Sequence, residues 1–493
     1  DDVESRGLGD VYKRQLVRVV EMDNINNLRA VILAAGKGTR MKSSTPKVLH
    51  KIFGLTLIER VINQVLKVDG IDKIFVVIGH GADMVQECLD KSYDKEKIKT
   101  VLQTEQKGTA DAVFRAYNDL ENFEGNVLIL CGDTPLLDEK TLSDFLEYHN
   151  SKQADLTVMS ALLDNPAGYG RIIRKQDKSL EKIVEQKDAT DEQKTVNEVN
   201  AGVYCFRWKK IKQAFFEIST NNSQGEYYLT DVIEWAVKQG LNTQAYILED
   251  SKKMLGINLK EQLSEAFRIL NGEKLEELHK KGVTIYDDKS TFISPETEID
   301  EDTIIYPNVY IEGTNNFGKH NIIGPNTTVY GNVKTEDNVK ITQSQVSDLY
   351  ADKNTTIGPF SHIRDGVKLA EKVRVGNFVE VKKSTIEDHT NCAHLSYIGD
   401  ASLGSNVNIG AGTITANYNA ITKEKNKTIL KNGVKVGSNS VLIAPVTVEE
   451  NANIAAGTIV TENIPPEALA ITRSHLRIIA DWVIEKKRLF LKK

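Results

Sequence analysis

Two groups of residues in this chain could do chemistry on an anion. The first is Gly36-Lys37-Gly38-Thr39-Arg40, followed by Lys47. Glycines let backbone amides approach phosphate oxygens closely, and Arg40 and Lys47 add charge that stabilises a reacting triphosphate. The spacing is neither that of a Walker P-loop nor that of a dinucleotide fingerprint, and alone it also suits an ordinary strand-to-helix turn. The second group is Arg364, Lys382, His394 and Tyr397, followed by Asn417, Tyr418 and a basic loop holding Lys423, Lys425 and Lys427. A lone histidine is most often a satisfied surface residue. Surrounded by cations, His394 reads instead as facing an anionic substrate, and an imidazole suits proton transfer near neutral pH.

The first group needs a sheet to hold it. Ala30–Ala35 is an apolar run ending in glycine, a buried strand feeding the loop. Further strands are expected at Lys73–Gly79, Gly125–Cys131 and Leu156–Ala161, with helices at Pro46–Leu66 and Thr109–Leu120 between them. This alternation predicts a mostly parallel α/β sheet covered on both faces. Ligands bind such sheets at the carboxyl ends of the strands, where the Gly36 loop, the Gly132-Asp133 turn and the Gln103 segment converge. Leu259–Lys281 comes next as a helix, with Leu263, Ala266, Leu270, Leu275 and Leu278 at helical spacing and Gly282 as its C-cap. It is expected to be a solvated connector.

The second group sits in a different pattern. Apolar residues recur six apart at Ile299, Ile305, Ile311, Phe317, Ile323 and Val329, at Ile357, Ile363, Leu369, Val375 and Val381, and at Val436, Leu442, Val448, Ile454 and Val460. Neither a helix nor a lone strand has this period. One short strand and one turn per step does, and three steps close a triangular coil. Gly318, Gly324, Gly358, Gly376, Gly410 and Gly437 come directly after ladder residues and are expected to turn the corners. The repeats run from about residue 284 to about residue 465. Periodicity by itself gives a structural rod as readily as a site.

Composition narrows the classes. A chain of 493 residues exceeds one core. A net charge of −6 leaves no footprint for nucleic acid, and no apolar run has the length of a membrane span. The cysteines, Cys88, Cys131, Cys205 and Cys392, are far apart and lack metal spacing; they read as free thiols of a reducing cytoplasm. Residues 1–27 look foreign to the rest of the chain and read as a disordered leader or an artefact.

Longer motifs carry a resemblance. Leu33-Ala34-Ala35-Gly36-Lys37-Gly38-Thr39-Arg40-Met41 with Pro46-Lys47-Val48-Leu49 is similar to the signature of sugar-1-phosphate nucleotidyltransferases. Gln103 to Thr109 looks like that family's base-recognition loop, and a glutamine amide suits the edge of a uracil. Gly132-Asp133-Thr134-Pro135-Leu136 looks like its metal turn. Tyr169-Gly170-Arg171, Ile183-Val184-Glu185, Asn200-Ala201-Gly202 and Gly225 to Asp231 come in the family's order. The resemblance implies a UTP and UDP-sugar site made of Leu33, Ala34, Gly36, Gly38, Lys47, Gln103, Gly108, Thr109, Gly170, Glu185, Asn200 and Asn258, with Lys47 and Arg40 catalytic and with Asp133 and Asn258 holding Mg²⁺. Ala201 and Gln186 depart from the residues common at those positions.

The repeats resemble the left-handed parallel β-helix of hexapeptide-repeat acyltransferases. Together the two halves resemble, from about Leu28 to Arg473, the family of bifunctional bacterial enzymes that make UDP-N-acetylglucosamine. That resemblance implies a Rossmann-like nucleotidyltransferase domain over 28–258, a linker helix over 259–282 and a β-helix acetyltransferase domain with a C-terminal tail over 283–493. It implies a cytoplasmic homotrimer that uses acetyl-CoA and UTP. Arg364, Lys382, Tyr397 and Asn408 would hold glucosamine 1-phosphate, and His394 would take its amine proton. Ala411, Asn417, Tyr418, Lys425, Ser438, Ala456 and Arg473 would contact acetyl-CoA. The loop after Tyr418 is about two residues longer than usual, and Lys425 is chosen by counting back from Lys427-Thr428. The alternatives are a nucleotidyltransferase whose β-helix only oligomerises, and a non-catalytic scaffold built from the same folds.

Overall fold

The computed structural model describes residues 27–473 and 475–491, so the expected leader lies almost wholly outside the described residues. The chain separates into two units between Ile269 and Leu270.

In the first unit Leu28–Ala34 (β1) runs parallel to Ile71–Ile78 (β2), which runs parallel to Ile98–Leu102 (β3). On its other side β1 pairs in parallel with Asn126–Cys131 (β4). Beyond lie Leu156–Leu162 (β5), the hairpin Arg171–Arg174 (β6) and Leu180–Val184 (β7), then Glu198–Arg207 (β8) and Thr243–Ile247 (β9). The order is β9-β5-β8-β4-β1-β2-β3, with β6 and β7 branching from β8. Strand β8 is antiparallel to both of its neighbours in that order, so the sheet is mixed around a parallel centre. Alternate β1 residues feed different cores: Ala30 and Ile32 meet Ile58, Val61 and Ile62, whereas Val31 shares a cluster with Val113 and Leu120. Burial on both faces explains the continuous apolar run. Because β1, β3 and β4 point the same way, the Gly36 loop, Gln103 and Asp133 emerge on one edge.

The expected helix Pro46–Leu66 is not one helix. A 3₁₀ turn at Lys47–Leu49 is followed by a tight hairpin, Lys51–Ile52 against Leu55–Thr56, and only then by the helix Leu57–Lys67 (α1). Phe53 and Gly54 both adopt positive φ at the hairpin turn, a geometry a helix cannot continue through. Thr56 and Glu59 then form a reciprocal capping box that starts α1. The expected helix Thr109–Leu120 likewise breaks, into Thr109–Phe114 (α2) and Tyr117–Leu120.

The second unit is a stack of short parallel strands, each paired to the strand one coil away. This is a parallel β-helix of the left-handed, hexapeptide-repeat kind. Ile305 faces Ile323, and Ile323 faces Ile341, 18 residues apart at each step. Between Ile409 and Val436 one coil takes 27 residues, and the excess is the loop after Tyr418. The ladder residues form one continuous buried core.

The glycines after the ladder residues do a different job from the expected one. Apart from Gly358, those six glycines do not have positive φ. The left-handed residues are largely Asn and Asp, among them Asn308, Asn326, Asn354, Asn406, Asn439 and Asn451, which tolerate that region best after glycine. At Gly376, Gly410 and Gly437 an added Cβ would run into backbone of the next coil. They are there for close approach between coils.

One consequence is measurable. Gly376 lies in Arg374–Lys382 (β10), beside Asn391–Gly399 (β11), and its Cβ would collide with the Ala393 carbonyl. Gly376→Ala is expected to destabilise the second unit by about 1–3 kcal/mol, read as a lowered denaturation midpoint with unchanged slope.

The helix Lys260–Lys280 (α3) contains the division between the units. In the first unit Phe267 stacks on Phe53, with ring centroids 4.3 Å apart. In the second, Leu275 and Leu278 join the coil core, and the Asn271 amide bonds both Thr291 O and Ile293 N. The helix is therefore packed where a solvated connector was expected. The C-terminal helix Trp482–Phe490 buries no residue, and Leu476, Ile478 and Phe490 are all more than 80% exposed.

Candidate functional site

The edge where β1, β3 and β4 end carries two adjoining cavities. One, of about 470 Å³, is lined by the Gly36 loop, Lys47, Gln103, Gly108 and Thr109. The other, of about 340 Å³, is lined by Arg40, Tyr169, Asn200 and Asn258. Cys131 and Asp133 line both. Burial pushes the Cys131 thiol up to about 12, so it is no nucleophile at neutral pH.

Local geometry sets each side chain. Gly38 has positive φ and its added Cβ would press on the Lys47 side chain at 2.7 Å, which ties the loop to the lysine. At Gly36 a Cβ would meet no protein atom, so its space opens into the cavity. The Ile257 amide donates to the Asp133 carbonyl at 2.8 Å and thereby brings Asn258 beside Asp133. Gln262 fixes that corner by accepting from the amides of Asn258 and Leu259. Lys47 Nζ donates to Asp133 Oδ2 and, at 3.1 Å, to Asn258 Oδ1. Arg40 Nη2 donates to the same Asn258 oxygen at 2.9 Å. A cation thus already bridges the two oxygens assigned to a metal.

Gln103 is 3% exposed. Its Nε2 donates to Gly108 O at 3.1 Å and to Asp111 Oδ2 at 2.8 Å. The expectation that it offers a base both donor and acceptor therefore needs correcting: the donor is used within the protein and Oε1 remains. Thr109 Oγ1 accepts from the Leu229 amide. Gly108 has positive φ with Tyr227 backbone against it, so no side chain fits there.

Gly170, Glu185 and Asn200 are brought together. The Asn200 amide donates to Gly170 O at 2.9 Å, and a Cβ on Gly170 would lie 3.5 Å from Glu185 Oε2. Thr230 donates to Glu185, whose pKa burial raises. Thr230, Tyr169 and Gln262 are not singled out by the sequence; each sits near a quoted motif without a chemical signature of its own.

Asp231 sits among Glu185, Asp188 and Glu234. Burial first, and then the charges of Glu234, Glu185 and Asp188, raise it to about 6. A raised carboxyl leaves stability intact below its unfolded value, near 4, and costs stability as pH climbs through 6. Asp231→Asn is expected to raise the thermal midpoint by a few degrees at pH 8 and to change it little at pH 4, as scanning calorimetry at the two pH values would show.

The second unit gathers its residues on one face and one corner. Arg364 and Lys382 are register partners on neighbouring coils, as are Glu380 and Tyr397. Arg364 binds Glu380 at 2.7 Å and Asp365 at 3.3 Å, and Lys382 binds Asp365 at 3.1 Å. The hydrogen bond from Lys382 holds the Asp365 carboxyl below the usual range. Two acids with no motif of their own thus hold the cations. Gly399 cradles the Tyr397 ring, and Asn417 Nδ2 donates to Asp400 and, at 3.4 Å, to Tyr397 Oη.

His394 is exposed and pairs in register with Asn377. Its neighbour Leu395 accepts from Gly412 N, Ala411 O from Asn439 N, and Ser438 O from Gly457 N. His394, Ala411, Ser438 and Ala456 therefore descend one corner, coil by coil. Tyr418 bridges Lys425, closing the long loop as a hairpin with Lys423 at positive φ on its turn. Arg473 is exposed beyond the last strand. Asn408 is not with Tyr397: its partners are Asn391 and Lys435, on another face of the coil.

Residues 29–257 match the nucleotidyl transferase family. The whole chain is similar to curated proteins, each named bifunctional protein GlmU. The protein of Acetivibrio thermocellus is 44% identical over 93% of this chain and 98% of its own length. That of Clostridioides difficile is 43% identical over 94% and 98%, and that of Halalkalibacterium halodurans 43% identical over 94% and 100%.

Proposed function

Since the chain belongs to the family of bifunctional GlmU proteins, we propose that its two units hold two separate reaction sites, used in succession. It is a bifunctional transferase that N-acetylates glucosamine 1-phosphate from acetyl-CoA and transfers a uridylyl group from UTP to N-acetylglucosamine 1-phosphate, releasing pyrophosphate.

The observation that carries the nucleotidyl assignment is Lys47, whose ammonium spans Asp133 and Asn258 where the two cavities meet. The larger cavity takes UTP, with Gln103 Oε1 accepting from the uracil N3–H and Leu33, Ala34, Gly36, Gly38, Gly108 and Thr109 around the nucleotide. The smaller takes N-acetylglucosamine 1-phosphate against Gly170, Glu185 and Asn200. Arg40 and Lys47 hold phosphate oxygens and offset charge as the sugar phosphate displaces pyrophosphate. No group of three or more His, Cys, Asp or Glu stands ready for a metal among the described residues, but Mg²⁺ needs only one or two protein oxygens beside substrate phosphates. The Asp133 and Asn258 oxygens fit that requirement, and the ion would supply further charge neutralisation.

In the second unit Arg364 and Lys382 release Asp365 and Glu380 to meet the sugar phosphate. Tyr397 and Asn408 contact the sugar, and His394 Nε2 or Nδ1 removes the amine proton as nitrogen attacks the thioester. The corner column of Ala411, Ser438 and Ala456 lies along acetyl-CoA, with Asn417, Tyr418, Lys425 and Arg473 completing its contacts. The different face occupied by Asn408 supports a site finished by a second copy in a homotrimer. Four free thiols support a cytoplasmic setting. Among the described residues no helix is long and apolar enough to cross a membrane.

The full chain with acetyl-CoA, glucosamine 1-phosphate, UTP and Mg²⁺ should release CoA thiol and pyrophosphate in sequence. Pyrophosphate release from N-acetylglucosamine 1-phosphate without any CoA release from glucosamine 1-phosphate would reduce the second unit to a scaffold.

A further inference from the structure

We propose that Asp111 is the positioning residue that makes the nucleotide site select uracil, by locking which end of the Gln103 amide faces the base. The inference rests on the assignment of Gln103 as the base reader.

A glutamine amide has two faces of opposite meaning. Its oxygen accepts and its nitrogen donates, and only the surroundings decide which one a ligand meets. Here both amide hydrogens have acceptors: Gly108 O at 3.1 Å and Asp111 Oδ2 at 2.8 Å. Turning the amide over would set Oε1 against a carbonyl and a carboxylate together, with no donor from either. Gln103 is 3% and Asp111 8% exposed, so water is poorly placed to rescue the flipped state and an unpaired group there is costly.

Asp111 is itself held. Arg115, one helical turn on from Asp111, pairs with it through Nη2 to Oδ1 and through Nε to Oδ2 at 3.3 Å. The carboxylate cannot swing away from Gln103 without breaking this fork. The base therefore meets an acceptor only. Uracil N3–H donates to it, whereas cytosine presents a lone pair at N3, and two acceptors face each other. A site built around a fixed hydrogen-bonding group rejects the analogue that cannot match it far better than an apolar pocket does. An asparagine at 111 lacks this property, since its amide can turn to donate to Oε1 and so tolerate either orientation of Gln103.

The test compares kcat/KM for UTP and CTP in the full chain, with N-acetylglucosamine 1-phosphate and Mg²⁺ saturating. Asp111→Asn should shrink the UTP-to-CTP ratio about ten- to a hundredfold, mainly through a raised KM for UTP and a gain with CTP. Asp111→Glu, which keeps an acceptor-only group, should recover most of the ratio. Gln103→Ala tests the underlying assignment and should also collapse the ratio. If Asp111→Asn leaves the ratio within twofold while Gln103→Ala collapses it, Gln103 reads the base without help from Asp111 and the proposal fails. If Gln103→Ala leaves the ratio intact, the base is read elsewhere and both assignments fall. Should Asp111→Asn not fold, Arg115→Gln loosens the same carboxylate from outside the pocket; a ratio reduced at least threefold supports the proposal and an unchanged ratio overturns it.

Discussion

Replacing His394 by alanine is expected to slow acetyl transfer by about a hundred- to ten-thousandfold, the range of a lost general base, and to leave uridylyl transfer at its starting rate. The side chain is exposed, so its removal opens no cavity and the coil should melt as before. Arg364, Lys382 and Tyr397 lie on the adjoining face and Ala411, Ser438 and Ala456 down the same corner. Substrate binding should therefore persist, and the loss should fall on kcat with both KM values nearly unchanged. CoA thiol release reads the first activity and pyrophosphate release the second. Equal loss of both would show that the units are not independent.

Asp133→Ala should do the reverse, lowering uridylyl transfer by about a hundred- to a thousandfold while CoA release continues. The carboxylate is the point where both cavities meet and the partner of the Lys47 ammonium. Without it Lys47 keeps only Asn258 Oδ1, a position it shares with Arg40. The site then loses an anionic oxygen that a divalent ion needs, and its most buried cation is no longer aimed. Asp133→Asn, which keeps an oxygen without charge, should fall between the two and require more Mg²⁺ for half-maximal rate. A wild-type Mg²⁺ dependence in Asp133→Ala would remove Asp133 from that role.

The parts of the fold that are readable in the sequence are those with a strong period. A six-residue ladder leaves few alternatives, because only a coil of three short strands returns the same side chain inward at that step. The β1 run is equally plain, since burial on both faces strips a strand of polar residues. Pro46–Leu66 misleads because its apolar content suits a helix. The hairpin inside it is written in Phe53-Gly54, and the true helix start in Thr56 and Glu59, but composition outweighs these local signals. The glycine assignment fails for another reason: a residue chosen for close approach and one chosen for positive φ look the same in a sequence. Only the neighbouring coil, about 18 residues away at its regular step, tells them apart.

The candidate sites divide the same way. Gly36, Lys47, Asp133 and Asn258 converge on one edge because parallel strands end together, a rule available without coordinates. Asp111, Glu380 and Asp365 are invisible because they act on other side chains, and an acid beside a base in sequence is ordinarily a surface pair. Asn408 cannot be placed by its motif at all, since which face it occupies depends on counting coils through an irregular stretch.

That irregular stretch has a practical reach. The coil between Ile409 and Val436 departs from the lattice after Tyr418 and rejoins it with every later strand in step. The hairpin closed by Tyr418 and Lys425 is thus a graft on a finished scaffold. Ile421, 92% exposed at its tip, marks a spot where a fluorophore or a short epitope could be installed without disturbing the strands on either side, and from which movement next to the thioester donor could be followed in real time.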